Sequence, residues 1–184
     1  MNPVHGWAEF CNTWTTAWPH TEQPFRAPGY VLGQLATSRS LGVNYLLGVG
    51  PMVTGEFCDG IYKNMDAISE WMKRNSASVK TEKPLPAAET ASVPATASGS
   101  TRNLFALPKF KYGGAYEKVL LPPTDLKLTL TGATKPARVI LARDGSELKH
   151  EYSGSTLTIQ LPAAKRSQLV EVVQVDLASN LSQK

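Results

Sequence analysis

Residues 43–51 read VNYLLGVGP, a near-continuous apolar run that ends in Gly50-Pro51. Such a run, with no polar alternation, predicts a strand covered on both faces, as strands of a parallel sheet are, and Gly-Pro closes it. Downstream, after a loop from Met52 to Cys58, Asp59 is placed to cap a helix. In that helix Ile61, Met65, Ile68 and Met72 recur at spacings of four, three and four, while Lys63, Asp66, Glu70 and Lys73 fall on other faces. Asn75 is placed to end it. Upstream, Tyr30, Val31, Leu32 and Leu35 form a shorter helical pattern over 30–37, weakened by Gly33. Helix, strand, loop and amphipathic helix in succession predict one β/α unit and part of a second.

The rest of the chain follows a different period. Leu126, Leu128 and Leu130 alternate with Lys127 and Thr129, and Leu157, Ile159 and Leu161 alternate with Thr158 and Gln160, which predicts half-buried strands. Asn103–Leu107, Val139–Leu141, Leu148–Tyr152 and Leu169–Leu177 add four more, punctuated by Asp144-Gly145 and Ser153-Gly154. A slip of the alternation at Val172-Val173 predicts a β-bulge. Short strands at this spacing predict a small antiparallel β-sandwich. Between the two regions, residues 81–102 hold Pro, Ala, Ser and Thr with no aromatic residue, and are read as a linker, or else as partly extended over a neighbour.

Composition narrows the function. With 184 residues, 42% hydrophobic and 18% charged, the chain can bury one ordinary core or two small ones. The net charge of +4 comes from scattered Lys and Arg, which argues against a nucleic-acid partner. No stretch has the length of a membrane span, and Met1–His5 has neither the basic nor the apolar region of an export signal. Cys11 and Cys58, with His5, His20 and His150, show no metal-ligand spacing, so neither metal nor cofactor is expected. Both cysteines are expected to be buried thiols.

The stretch Ser40–Pro51, SLGVNYLLGVGP, resembles the last barrel strand of the α-L-fucosidases of glycoside hydrolase family 29. Glu9-Phe10-Cys11-Asn12-Thr13 with Trp18 resembles that family's Trp-Glu-x-Cys-x-Thr segment and the Trp-Gly-Tyr after it. Trp71 with Asn75 resembles its closing helix, and the β-rich tail resembles its C-terminal sandwich. Over nearly the whole chain the resemblance implies three parts: residues 1–80 as the C-terminal remnant of a (β/α)8 barrel, 81–102 as a linker, and 103–184 as the sandwich. Departures cluster on the active-site side. Ala8 separates Trp7 from Glu9, Pro19-His20 replaces Gly-Tyr, and Gly48 replaces an asparagine. Asn75-Ser76-Ala77-Ser78-Val79-Lys80 replaces a segment that begins Asn-Gly-Glu. A whole barrel takes about 250 residues, and the family's nucleophilic aspartate and fucose-holding histidines lie on strands with no counterpart ahead of Trp7. The resemblance therefore implies the C-terminal part of an enzyme that removes terminal α-L-fucose from glycans with retention, inactive by itself. A fucosylated glycan or fucoside is the implied ligand, and the incomplete barrel face is an implied site of association. Family members often work outside the cytoplasm, an implication to which no residue here adds.

Retaining hydrolysis needs two carboxyl groups roughly 5–5.5 Å apart. Asp125, Asp144, Glu147, Glu151, Glu171 and Asp176 belong to the second region, and Asp66 and Glu70 to an outward helix face, which leaves Glu9, Glu22 and Glu56 for a barrel mouth. Glu9 matches the family segment and is the acid/base candidate, since desolvation among Trp7, Phe10, Trp14 and Trp18 would raise its pKa. The competing role is to hold a loop by hydrogen bonds. Glu56 follows the buried strand and reads either as a mouth residue or as a solvated loop glutamate. Trp7 and Trp18 are the substrate-binding candidates, able like Trp14 to stack on a sugar face or else to fill an interface. From a different class, the sandwich could serve as a non-catalytic carbohydrate- or partner-binding module. A third option makes it a structural unit that folds without residues 1–80.

Overall fold

The computed structural model describes residues 6–21, 24–80, 83–110, 119–120 and 123–178, so Glu22 and residues 81–82 of the expected linker lie outside it. Strand β1 (Glu9–Thr13) leads through helix α1 (Pro28–Ser40) to strand β2 (Asn44–Gly48), and β1 and β2 pair in parallel from Glu9↔Asn44 to Thr13↔Gly48. Parallel neighbours need a crossover of this length, and α1 supplies it. Pro28 presets the backbone of its first turn. At its end Gly42 takes a φ of +75°, Val43 N–H donates to the Ser38 carbonyl at 2.9 Å, and the chain turns into β2.

Helix α2 (Asp59–Asn75) follows, then the single turn α3 (Ala77–Lys80). Asp59 does not cap α2. Cys58 holds the cap position, without a side-chain hydrogen bond, and Asp59 sits in the first turn, where its charge opposes the positive end of the helix dipole. Asn75 is the last residue of the helix, as expected, and donates its Nδ2 to the Trp71 carbonyl at 3.0 Å.

The remaining strands are β3 (Lys83–Pro84), β4 (Thr90–Ala91), β5 (Ala95–Ser98), β6 (Thr101–Ala106), β7 (Lys109–Phe110), β8 (Val119–Leu120), β9 (Leu126–Thr131), β10 (Pro136–Leu141), β11 (His150–Ser153), β12 (Thr156–Leu161) and β13 (Glu171–Leu177). They form a five-stranded sheet in the order β10-β13-β6-β5-β3, a four-stranded sheet in the order β11-β12-β9-β4, and the pair β7-β8, with antiparallel pairing throughout. The apolar faces of the two larger sheets meet. Leu104, Ala106, Val139, Leu141, Val173 and Val175 from one and Leu128, Leu130, Leu157, Ile159 and Leu161 from the other form one buried cluster. The alternation read from the sequence is the signature of this arrangement.

Two expectations are corrected here. The stretch 81–102 is not a free linker, because β3, β4, β5 and the start of β6 lie within it. Ala95 and Thr96 are buried, and Pro84 sits in the edge strand β3, where a missing N–H is tolerated. Small side chains conceal this burial from a count of apolar residues. The expected bulge at Val172-Val173 is absent, since β13 pairs with β6 without a shift from Glu171↔Ala106 to Asp176↔Thr101. Both valines are apolar because both faces of β13 are covered. Val173 faces the four-stranded sheet, while Val172 packs with Val170, Phe105, Leu32, Ala36, Trp71 and Val79.

That second cluster joins the two halves. Trp71 donates its Nε1–H to the Val170 carbonyl at 2.7 Å, and Thr96 donates its hydroxyl to the Ser78 carbonyl at 2.9 Å. Helix α1 lies between sheets: Leu32 and Ala36 face the five-stranded sheet, while Val31 joins Trp14, Ile61, Tyr45 and Leu47 beside β2. A helix buried on two sides shows no single apolar stripe, which is why its pattern reads as short and weak.

Candidate functional site

Because β1 and β2 are parallel, their carboxyl ends, Thr13 and Gly48, lie side by side, and the segments beyond them meet there. Trp14 N–H donates to the Gly48 carbonyl at 2.9 Å, and its buried indole donates Nε1–H to the Arg26 carbonyl at 3.0 Å. Arg26 returns its Nε–H to the Thr13 carbonyl at 2.6 Å and lies over the Tyr30 ring. Thr13 and Thr15 donate their hydroxyls to the carbonyls of Thr15 and Ala17 at 2.7 and 2.9 Å. These bonds close the loop and set Trp18 over Gly48, while the backbone of Pro19 and His20 lies against Gly50.

The two faces of the strand pair differ. Tyr45, Leu47 and Val49 turn toward α1 and α2, with Phe10 stacked on Tyr45 at 5.9 Å. The other face carries Glu9, Cys11, Asn44 and Leu46, all exposed, so the expectation of cover on both faces of 43–51 is not met in the described residues. An apolar cleft between α1, α2 and β2, lined by Trp14, Val31, Leu47, Met65 and Ile68, lies on the helix side, away from this face.

Glu9 opens β1, at the amino end of the pair, roughly 13 Å from the carboxyl end at about 3.3 Å per residue. It is exposed, and its Oε1 accepts the Cys11 thiol at 3.4 Å. The enclosure by tryptophans does not form: Trp14 is turned into the helix side, Trp18 lies at the opposite end, and Trp7 is 80% exposed. The expected desolvation of Glu9 is therefore corrected. Cys11 is corrected likewise, being exposed on the bare face, whereas Cys58 is half-buried. Glu56 follows the carboxyl end of β2, exposed, and accepts the Tyr62 hydroxyl at 2.6 Å. That bond pushes the Tyr62 phenol above its ordinary range. Trp71 is an interface residue. No group of His, Cys, Asp or Glu that could hold a metal ion occurs among the described residues. The structure thus brings Trp18, His20 and Glu56 to one end and leaves Glu9 and Trp7 at the other. The glycine seat beneath Trp18 is the feature sequence reasoning missed, and its only signal is the Gly-x-Gly spacing at the strand's end.

Comparison with known proteins places these observations. The sequence profile of the family described as Alpha-L-fucosidase, a family of glycoside hydrolases, matches residues 2–77. No curated protein matches the chain. Among solved structures, Thermotoga maritima alpha-fucosidase bound to a mechanism-based inhibitor superposes with a TM-score of 0.65 at 16% identity, over 91% of this chain and 39% of that one. Alpha-L-fucosidase isoenzyme 1 from Paenibacillus thiaminolyticus gives 0.69 at 18% identity, over 92% and 39%. A further alpha-L-fucosidase gives 0.71 at 15% identity, over 95% and 39%. The chain thus spans about two fifths of the length of the fucosidases it matches, and at these identities the superpositions show the fold alone. The resemblance read from the sequence is shown by profile over residues 2–77 and by fold over nearly the whole chain.

Proposed function

We propose that this chain is the C-terminal part of an α-L-fucosidase, contributing to retaining hydrolysis of terminal α-L-fucose from glycans. In this reading β1–α1–β2–α2 are the closing βα units of a (β/α)8 barrel, and the two facing sheets are its C-terminal sandwich. The observation that carries it is the superposition on solved fucosidases over more than nine tenths of the chain, together with the profile match over residues 2–77. A bare face on a parallel strand pair supports it, since parallel sheets are otherwise covered on both faces. That face is then the surface through which the chain joins the rest of the barrel.

Within this reading Trp18 meets the sugar, because barrel sites lie at the carboxyl ends of the strands. Trp7 is a second sugar contact only if neighbouring strands bring the sugar toward it. Glu9 and Glu56 sit at opposite ends of the strand pair, so they do not form the carboxyl pair that retention needs. The nucleophile is therefore supplied from elsewhere, and the chain alone does not turn over. The competing module reading finds little support, because the outward side chains of β9 and β12 are Lys127, Thr129, Thr131, Thr156, Thr158 and Gln160, with no aromatic platform. Incubation of the purified chain with an aryl α-L-fucoside tests the proposal. No fucose is expected, and release that disappears in Glu9→Gln would show a working site here and overturn it.

A further inference from the structure

We infer that Gly48 positions Trp18 as a fixed stacking surface for a sugar ring at the carboxyl ends of β1 and β2, an inference that rests on the carbohydrate reading above. A methyl group on Gly48 would fall 2.2 Å from Cζ3 and 2.5 Å from Cε3 of Trp18, so only a hydrogen fits beneath the ring. Two residues on, on the same side of the strand, a methyl on Gly50 would fall 2.3 Å from the His20 nitrogen and 2.4 Å from the Pro19 carbonyl carbon. Trp18-Pro19-His20 therefore runs along the bare backbone of the strand end, ring first and main chain after, with no side chain between.

One face of the indole is thus covered by the strand, yet Trp18 remains 56% exposed, which leaves its other face open. A ring already pressed onto a backbone has surrendered much of its rotamer freedom before a ligand arrives, so stacking on it carries a smaller ordering cost. The C–H face of a pyranose is the chemistry that matches such a surface. Trp14 is buried and cannot serve. Gly48 acts here through Trp18 and touches no ligand, which makes it a positioning residue.

The test uses the full chain, labelled with nitrogen-15, in which the Trp indole N–H resonances are assigned by single Trp→Phe variants and followed while α-L-fucose is added. The Trp18 resonance is expected to shift saturably, while those of Trp14 and Trp71 hold. Gly48→Ala is expected to move the Trp18 resonance in the free protein and to weaken fucose binding about tenfold, the equivalent of about 1.4 kcal/mol. In a Trp18→Ala background the same substitution should change nothing further, an outcome that a general loss of stability would not give. Gly50→Ala displaces the Pro19–His20 backbone and should weaken binding in the same direction, which keeps the test open if Gly48→Ala does not fold. A Trp18 resonance indifferent to every sugar, or a Gly48→Ala chain with unchanged affinity, overturns the inference. A response to methyl β-D-galactoside and none to fucose leaves the positioning of Trp18 standing and sinks the fucosidase reading.

Discussion

The two halves of the molecule treat apolar surface in opposite ways. In the two-sheet half, Leu104, Leu128, Leu157 and Ile159 from facing sheets bury one another completely. In the β1–β2 half only the helix side is closed, and Leu46 remains 40% exposed on the other. Both halves carry comparably apolar strands. The difference teaches that alternation, as in β9 and β12, announces a strand needing one cover, whereas an unbroken run, as in 43–51, announces a strand needing two. Exposed side chains on such a run mark where the second cover belongs.

The sharpest way to break this contrast is to separate the halves. Removing residues 1–80 takes away Leu32, Ala36, Trp71 and Val79 and bares Phe105, Val170 and Val172. At about 1.5–3 kcal/mol per buried side chain, the loss should be several kcal/mol. A fragment of residues 81–184 that melted at the temperature of the whole chain would show that the halves share no core. Next in size is the ion pair of Arg102 and Glu89, whose Nε–Oε2 and Nη2–Oε1 contacts are 2.5 and 2.7 Å with both side chains 8% exposed. Glu89→Ala should lower the stability read from the denaturant midpoint by about 3–5 kcal/mol, because it strands a buried guanidinium. The paired change Glu89→Leu with Arg102→Met should cost far less.

Smaller effects probe the open half. Burial, helped by Tyr30 and opposed by Arg26, pushes the Tyr45 phenol up to about 12. The folded state then keeps this proton to higher pH than the unfolded chain, whose phenol titrates near about 10. Its contribution is complete below that pH and lost as the pH rises toward 12. The urea midpoint should therefore fall more steeply across that window in the native chain than in Tyr45→Phe. Smallest is the thiol of Cys11, whose pKa is raised above its ordinary value by the hydrogen bond to Glu9, by desolvation and by the charge of that carboxylate. Glu9→Gln should speed its alkylation by iodoacetamide at pH 8 by a few fold. Equal rates would mean that the contact is not made in solution.

Much of the fold was legible because period and burial agree. The strands at 126–131, 156–161 and 171–177 and the helix at 59–75 each answer to a pattern of one covered face or of two. β3, β4 and β5 escaped because Ala95 and Thr96 are buried without being large, and α1 was read over 30–37 alone, shorter than its Pro28–Ser40, because two covered sides erase a stripe. Glu171 is 2% exposed and paired with Arg143 at 2.8 Å, and no pattern of apolar residues foretells that. At the site, the motif singled out Trp18 as a position. Its support was not, since a glycine gives no hint of what presses against it, and the distance of Glu9 from the strand ends depends on where the strand begins.

The burial of Ala95 and Thr96, with Glu89 pinned to Arg102, has a consequence for how this protein can diverge. A segment that looks like neutral spacer cannot lengthen or shorten freely over generations, because an inserted residue would break pairing on both sheets at once. Indels should therefore accumulate at the Gly154 hairpin tip, where a side chain would meet open space, and the apparent tether should keep its length.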